Sequence, residues 1–299
     1  MLVKKLPNLW QTIRYSKPYR FPLWLVNKFK FRSLDPSSEY EVNMRLGHKM
    51  VLRPTERYLQ NVVVSRQYHD PDVYFVERLV PKGGVIVDIG ANIGLYTCGF
   101  AQFLKHKDIK LYSIEAIQKN FDLLKKNIEL NHFKNVEAFR FAVGEESGEL
   151  TFYLPSKDFV GNVSGGNVFS ESDLKKIESQ EKVKEVVPLV RIDDWAIENS
   201  IERCDFLKID IEGAEMFAFR GGFEFLKKTR PIIQCEYNKH WLDKQDLSLQ
   251  SFVQFFKDMD YDVYVEKENV FDLIQEETFD FHLVDLLFVP REKKNRLEI

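Results

Sequence analysis

Residues 85–94 read Val85-Ile86-Val87-Asp88-Ile89-Gly90-Ala91-Asn92-Ile93-Gly94: an apolar run that reaches an acid, then two glycines four apart, then the start of a helical pattern. That order leaves few folds open. A strand buried on both faces of a parallel sheet reads as a nearly continuous apolar run. Glycine then lets the backbone turn tightly and approach a ligand closely. Asp88 falls at the carboxyl end of the strand, where open α/β sheets bind their ligands. A second strand-like run, Lys110 to Ile114, leads to Glu115, at a spacing that suits a carboxylate gripping both hydroxyls of a ribose.

From residue 85 onward, strands and helices alternate. Strands are expected at 85–90, 110–115, 136–141, 186–190, 205–210 and 231–237, with an added strand at 150–154 and a final pair at 261–266 and 283–289. Helices are expected at 93–105, 117–131, from about 193, at 212–220 and near 248–258. Repeated βα units imply an α/β fold with a mostly parallel sheet and helices on both faces; an antiparallel pair at the C-terminal end is consistent with it. Upstream, 36–66 reads as short strands around a Gly47-His48 turn, and 71–80 as a helix ending at the breaker cluster Pro81-Lys82-Gly83-Gly84. Residues 155–185 interrupt the alternation and contain Gly161-Asn162-Val163-Ser164-Gly165-Gly166-Asn167. A loop of that length in a compact domain is expected to be a lid or binding loop, with a disordered insertion as the alternative. Two units follow: an N-terminal appendage over 1–70 and a ligand-binding domain over 71–299.

The net charge of the 299 residues is −3, which argues against a nucleic-acid binder. Its distribution is uneven. Residues 1–34 hold eight basic side chains and no acid, interleaved with Trp10, Tyr15, Tyr19, Phe21, Trp24, Phe29 and Phe31. No apolar run there reaches the ~18 residues of a spanning helix, and a signal peptide's apolar centre and cleavage site are missing. The expectations are an aromatic cap packed on the larger domain or a peripheral contact with an anionic membrane or lipid-linked substrate. Three cysteines, Cys98, Cys204 and Cys235, sit in apolar contexts. An odd number without paired spacing argues against a disulfide framework or a zinc site, and a reducing cytoplasm is the simplest compartment.

The glycine turn lacks the third glycine of the dinucleotide fingerprint and the Gly-Lys-Ser/Thr of a P-loop. Asp88 ahead of the first glycine would repel a diphosphate but accept hydrogen bonds from an α-amino group. A cofactor with an amino acid at one end and a ribose at the other fits Asp88 and Glu115 together, and S-adenosylmethionine is such a cofactor. Lys208-Ile209-Asp210-Ile211-Glu212-Gly213-Ala214-Glu215 places Asp210 at the mouth of another buried strand, while the helix dipole accounts for Glu215. Pro231 to Tyr237 is a third apolar strand reaching an acid, Glu236. Paired carboxylates at one crevice can divide roles by environment. His240 follows within about a turn, as a general base or as an ordinary surface or capping histidine.

These motifs together resemble the FkbM family of S-adenosylmethionine-dependent methyltransferases, through Val87 to Thr97, Lys208 to Glu215, Pro231 to Glu236 and the Arg191-Ile192-Asp193-Asp194 segment. Ala116 stands where many members place proline. The resemblance implies a Rossmann-like class I methyltransferase fold, with a seven-stranded, mostly parallel sheet, and O-methylation of a sugar, glycan or natural-product hydroxyl. On that reading Asp88, Gly90, Ala91, Asn92 and Gly94 bind the methionine end, Glu115 the ribose, and Phe141 and Ala142 the adenine. Asp210, then Glu236 and His240, are the candidates for orienting or deprotonating the acceptor. A variant in which Asp210 and Glu236 hold Mg²⁺ stays open, as do a nicotinamide-dependent oxidoreductase and a non-catalytic cofactor- or glycan-binding protein. The expected location is the cytoplasm, including the inner face of its membrane.

Overall fold

The computed structural model describes residues 34–154, 183–267, 270–274 and 282–297. The expectations for 1–34 and for a lid over 155–185 fall outside those residues, except for Leu34 and for 183–185, which open a strand.

The described residues open with a hairpin, β1 (Tyr40–Asn43) and β2 (Lys49–Leu52), then α1 (Arg57–Ser65) and α2 (Asp70–Leu79). The βα units follow: β3 (Val85–Ile89), α3 (Leu95–Phe103), β4 (Lys110–Ile114), α4 (Gln118–Leu130) and β5 (Val136–Phe139). Then come β6 (Ala142–Val143), β7 (Gly148–Leu154), β8 (Val183–Val190) and α5 (Ile192–Glu198). The C-terminal part holds β9 (Phe206–Ile209), α6 (Glu215–Gly221), α7 (Phe223–Thr229), β10 (Ile232–Asn238), α8 (Lys239–Asp243) and α9 (Leu249–Lys257). It closes with β11 (Tyr261–Lys267), β12 (Val270–Leu273) and β13 (Leu283–Pro290).

The main sheet runs β12-β11-β13-β10-β9-β3-β4-β5. β10, β9, β3, β4 and β5 are parallel neighbours, and β13 is inserted antiparallel between β10 and β11. This is the Rossmann-like class I methyltransferase arrangement. The sheet is mixed and has eight strands rather than seven, because β12 adds itself antiparallel to β11 at the edge. The central strands are apolar because both faces are covered: β9 is buried at all four positions.

Two readings of the sequence are corrected. The stretch 186–190 does not rejoin the main sheet. It belongs to β8, which pairs with β6 and β7 in a separate three-stranded sheet. Lys184, Glu185 and Pro188 mark it as half-exposed, and its burial alternates instead of running unbroken. The predicted strand 136–141 is likewise divided, with β5 in the main sheet and β6 in the small one. Second, 57–65 is a helix although it contains three consecutive valines. Leu59 and Val62 lie on its inner side, three positions apart as a helix requires, and that burial overrides β-branched propensity.

The N-terminal elements share a core with the glycine turn. Val42, Met50, Leu52, Leu59 and Val62 pack with Ile93, Leu95, Cys98 and Leu123. Asn127 from α4 ties the two together: its Oδ1 accepts from the Val51 N–H at 2.6 Å, and its Nδ2 donates to the carbonyls of Val51 and Ile93. Buried Asp193 is structural, accepting from the Phe225 N–H at 2.8 Å at the start of α7. All three cysteines are buried and free. Among the described residues no helix is long and apolar enough to cross a membrane.

Candidate active site

A cavity opens at the carboxyl ends of β3, β4 and β9. Seven of the residues expected to hold the cofactor line it: Asp88, Gly90, Ala91, Asn92, Glu115, Phe141 and Ala142. Asp210 lines it as well. Gly94 is not in the lining. It caps the start of α3 with φ 88°, and a β-carbon there would lie 2.7 Å from Leu124 Cδ1. Glu236 and His240 are also outside the lining.

The turn after β3 is forced by backbone crowding. Gly90 has φ 79°, and a β-carbon on it would fall 1.9 Å from the Asp210 carbonyl oxygen. Asn92 follows at φ 52°, a left-handed conformation that asparagine tolerates better than most residues. Glu115 fixes this turn from the next strand. Its Oε2 accepts from the Asn92 N–H at 2.9 Å, and its Oε1 accepts from the Ile117 N–H at 2.8 Å.

Beneath the cavity a buried polar row crosses the sheet. Ser113, Asp88, Lys208 and Gln234 stand in register on β4, β3, β9 and β10. Paired positions on neighbouring strands project to the same face. Thr97 of α3 donates to Asp88 Oδ2 at 2.6 Å and lies 2.9 Å from Ser113 Oγ. Burial pushes Asp88 up to about 6, against the opposing pull of the Thr97 hydroxyl and the Lys208 charge. Burial likewise pushes Glu115 up to about 7, although the Ile117 and Asn92 N–H groups favour its ionised form.

Lys208 is the cation of the site. Its Nζ lies 3.2 Å from Asp210 Oδ2 and 4.8 Å from the centre of the Tyr96 ring. Burial opposes its charge, but Asp210, Asp285 and Asp88 together raise it above the ordinary lysine range. Glu215 organises the loop that carries Asp210. Its Oε1 accepts from the Ile211 and Gly213 N–H groups at 3.0 and 3.2 Å, and burial lifts it to about 7. Glu236 sits beside Asp285 in the strand register. Burial first, then the charges of Asp210, Glu212 and Asp285, push it up to about 8. A carboxyl that holds its proton at neutral pH is a poor acceptor of another. His240 is exposed and packs edge-on against Trp241, with ring centroids 4.9 Å apart. Among the described residues no group of three or more His, Cys, Asp or Glu is arranged to hold a metal ion, so the geometry lends no support to the Mg²⁺ variant.

Sequence reasoning missed the aromatic wall. Tyr58, Tyr68 and Tyr96 all line the cavity, and Tyr68 and Tyr96 meet edge to face at 5.3 Å. It also missed His69 and Asp72, whose side chains meet at 3.1 Å beside that wall. Tyr96 carried a signal, two positions beyond Gly94. Tyr68 and His69 precede a predicted helix and carried none.

The chain is 27% identical over 210 residues to the 2-O-methyltransferase NoeI of Sinorhizobium fredii (strain NBRC 101917 / NGR234), covering 68% of this chain and 82% of that protein. It is 28% identical over 155 residues to Methyltransferase 1 of Beauveria bassiana (strain ARSEF 2860), covering 47% of this chain and 59% of that protein. The match thus spans less than two thirds of that relative. The crystal structure of Methyltransferase FkbM from Methylobacillus flagellatus KT superposes with a TM-score of 0.43 at 14% identity, over 90% of this chain and 59% of that one. The signature described as "Methyltransferase FkbM domain" matches residues 88–263, more than half of the sequence, and the chain belongs to that family.

Proposed function

We propose that this protein transfers the methyl group of S-adenosylmethionine to a hydroxyl of a sugar, glycan or natural-product acceptor. The observation that carries the reading is the placement of Asp88 and Glu115 in one cavity, joined by the backbone turn between them. Two acids suit a ligand with a cationic end, and the apolar residues Ile114, Ile117, Phe141 and Phe152 that line the same cavity suit its adenine. The donor set therefore fits this cofactor, which supplies a methyl group already activated by the positive charge on sulfur.

The chain's own residues would then bind, orient and shield. Asp88 and the Gly90-Ala91-Asn92 backbone take the aminoacyl end, and Gly94 shapes the turn from behind. Glu115 takes the ribose, and Phe141 and Ala142 flank the base. Asp210 at the mouth of β9, held by Lys208, orients the acceptor hydroxyl, and alignment of this kind supplies a large part of the rate of a displacement. The name of NoeI, a 2-O-methyltransferase, supports oxygen as the atom methylated. The tyrosine wall and the adjoining carboxylate suit a polyhydroxylated acceptor, with ring faces for its carbons and an acceptor for its hydroxyls.

Calorimetry with S-adenosylmethionine and with NAD, followed by radiolabelled methyl transfer to a panel of glycans, tests the proposal. Binding of the first and not the second is expected, with label entering at least one glycan. Preference for NAD would replace the reading with an oxidoreductase. Cofactor binding with no transfer to any acceptor would favour a binding protein.

A further inference from the structure

The described part of the fold places an acid–imidazole pair beside the cavity that none of the motifs above includes. His69 precedes α2, and its Nδ1 lies 3.1 Å from Asp72 Oδ2. The same oxygen accepts from the Tyr96 hydroxyl at 2.7 Å. Burial works against the Asp72 charge, but hydrogen bonds from His69 and Tyr96, with the Lys208 charge, hold this carboxyl below the usual range. An ionised carboxylate can only accept. In its neutral form His69 therefore donates from Nδ1 and keeps its lone pair on Nε2.

His69 is itself exposed and, like Asp72, stands just outside the cavity lining, but its ring contacts tie it to the wall. Its backbone is left-handed, φ 43°, a conformation that histidine, like asparagine, adopts more readily than most residues with a β-carbon. Its ring packs against Tyr68 at 4.6 Å and Tyr96 at 5.8 Å, both of which line the cavity. Its side chain stays 47% exposed, so a proton taken up at Nε2 has a route to water. Burial lowers its basicity, but Asp72 and Asp285 outweigh both that and the repulsion from Lys208, and the net shift is upward. The other acids near the site are otherwise engaged. Asp210 is ion-paired with Lys208, and Glu236 holds a proton at neutral pH.

We propose that His69 is the base that takes the acceptor's hydroxyl proton, with Asp72 and Tyr96 as positioning residues that fix its tautomer and ring. The assignment rests on the methyl-transfer reading above. As the acceptor oxygen's lone pair forms the O–CH₃ bond, the C–S bonding pair goes to sulfur and the hydroxyl proton goes to Nε2. The sulfonium becomes a neutral thioether, the imidazole becomes an imidazolium, and total charge is conserved.

Two variants keep the backbone comfortable. His69→Asn tolerates the left-handed conformation and its amide can still donate to Asp72. His69→Gly accepts the same φ and leaves room for added imidazole. Against a panel of methyl glycosides and short oligosaccharides, His69→Asn is expected to lower kcat roughly 10²–10⁴-fold, with the Kd for S-adenosylmethionine within about threefold of wild type. The wild-type acid limb, on which kcat falls as His69 protonates, should vanish in this variant. Imidazole should restore turnover to His69→Gly. In the cofactor-free protein, nitrogen-15 NMR should show the Nδ1–H tautomer with a raised pKa, and Asp72→Asn should lower that pKa. An active wild type matched by an equally active His69→Asn overturns the base assignment alone, and so does an Nε2–H tautomer. A wild type that binds S-adenosylmethionine but methylates no member of the panel removes the hydroxyl-transfer reading and the base assignment with it.

Discussion

Lys208 Nζ is held 3.2 Å from Asp210 Oδ2, with its stem buried in the middle of the sheet. A lysine at the centre of a strand is stable only because Asp210, Asp285 and Asp88 surround it. The converse also holds, since the Lys208 charge favours the ionised form of Asp88 and Asp285. Removing one partner of a buried pair typically costs about 3–5 kcal/mol. Asp210 is 33% exposed, so solvent screens part of its share and the low end applies. Lys208→Met is therefore expected to destabilise the protein by about 3 kcal/mol in urea unfolding.

Asp210→Asn separates orientation from binding. The amide keeps the shape of the loop and one acceptor oxygen but loses the charge that faces Lys208. Cofactor affinity should stay near that of wild type, because Asp88 and Glu115 lie on other strands. Methyl transfer should slow by at least tenfold. Transfer at the wild-type rate with normal cofactor binding would remove Asp210 from the acceptor side of the site.

Gly90→Ala is expected to be costly twice over. The added carbon would sit 1.9 Å from the Asp210 carbonyl oxygen, and the position already has φ 79°. The obstruction is backbone, so relief requires moving the whole loop that carries Asp210. A strained backbone of this kind costs on the order of 1–3 kcal/mol. Displacement of the loop should also weaken S-adenosylmethionine binding more than tenfold. Gly148→Ala is the control, because nothing lies within 4 Å of the added carbon. Thermal melts and calorimetry on the pair distinguish the crowded glycine from the open one.

The central strands were legible because burial writes itself into composition. β3, β9 and β10 are apolar runs that reach or precede Asp88, Asp210 and Glu236, and a run of that kind has few other uses. The row formed by Ser113, Asp88, Lys208 and Gln234 was not legible. It depends on the register of four strands, which no spacing within one strand encodes. The same limit hid the His69–Asp72–Tyr96 contact, which exists because α2 packs against α3. The strand reading of 36–66 holds for the hairpin about Gly47-His48 but not for 57–65, where the core contributed by Ile93 and Leu95 selects a helical face. Glu236 does follow Cys235, which pairs with Ile209 beside Asp210, as adjacent strands implied, but neither it nor His240 reaches the cavity lining, and Gly94 of the glycine turn stands behind that lining.

Binding of S-adenosylmethionine should release protons near neutral pH. In the free protein, burial holds Asp88 near 6 and Glu115 near 7. A cation near Asp88 and hydroxyls that donate to Glu115 both favour the ionised carboxylate, so both values fall on binding. Affinity should then rise with pH from about 6 to 7. Calorimetry at pH 6.5 in two buffers of different ionisation enthalpy would register the release as unequal apparent enthalpies. Asp88→Asn should shrink the difference. Equal enthalpies for the wild type would show that Asp88 does not meet the aminoacyl end and Glu115 does not meet the ribose.

Glu215 couples the same chemistry to stability. Buried at the start of α6, against the loop that carries Asp210, it is raised to about 7, against about 4.3 for an unfolded chain. An acid whose folded value lies above its unfolded one binds more protons when folded, so it supports the fold fully at low pH. That support is lost as pH rises through the folded value and is absent above it. Glu215→Gln keeps an oxygen to accept from the Ile211 and Gly213 N–H groups and removes the titration. Relative to wild type, the variant should therefore gain roughly 2–3 kcal/mol between pH 5 and pH 8, whatever its absolute stability. Parallel Tm–pH curves for the two proteins would mean that Glu215 is ionised in the folded state throughout that range.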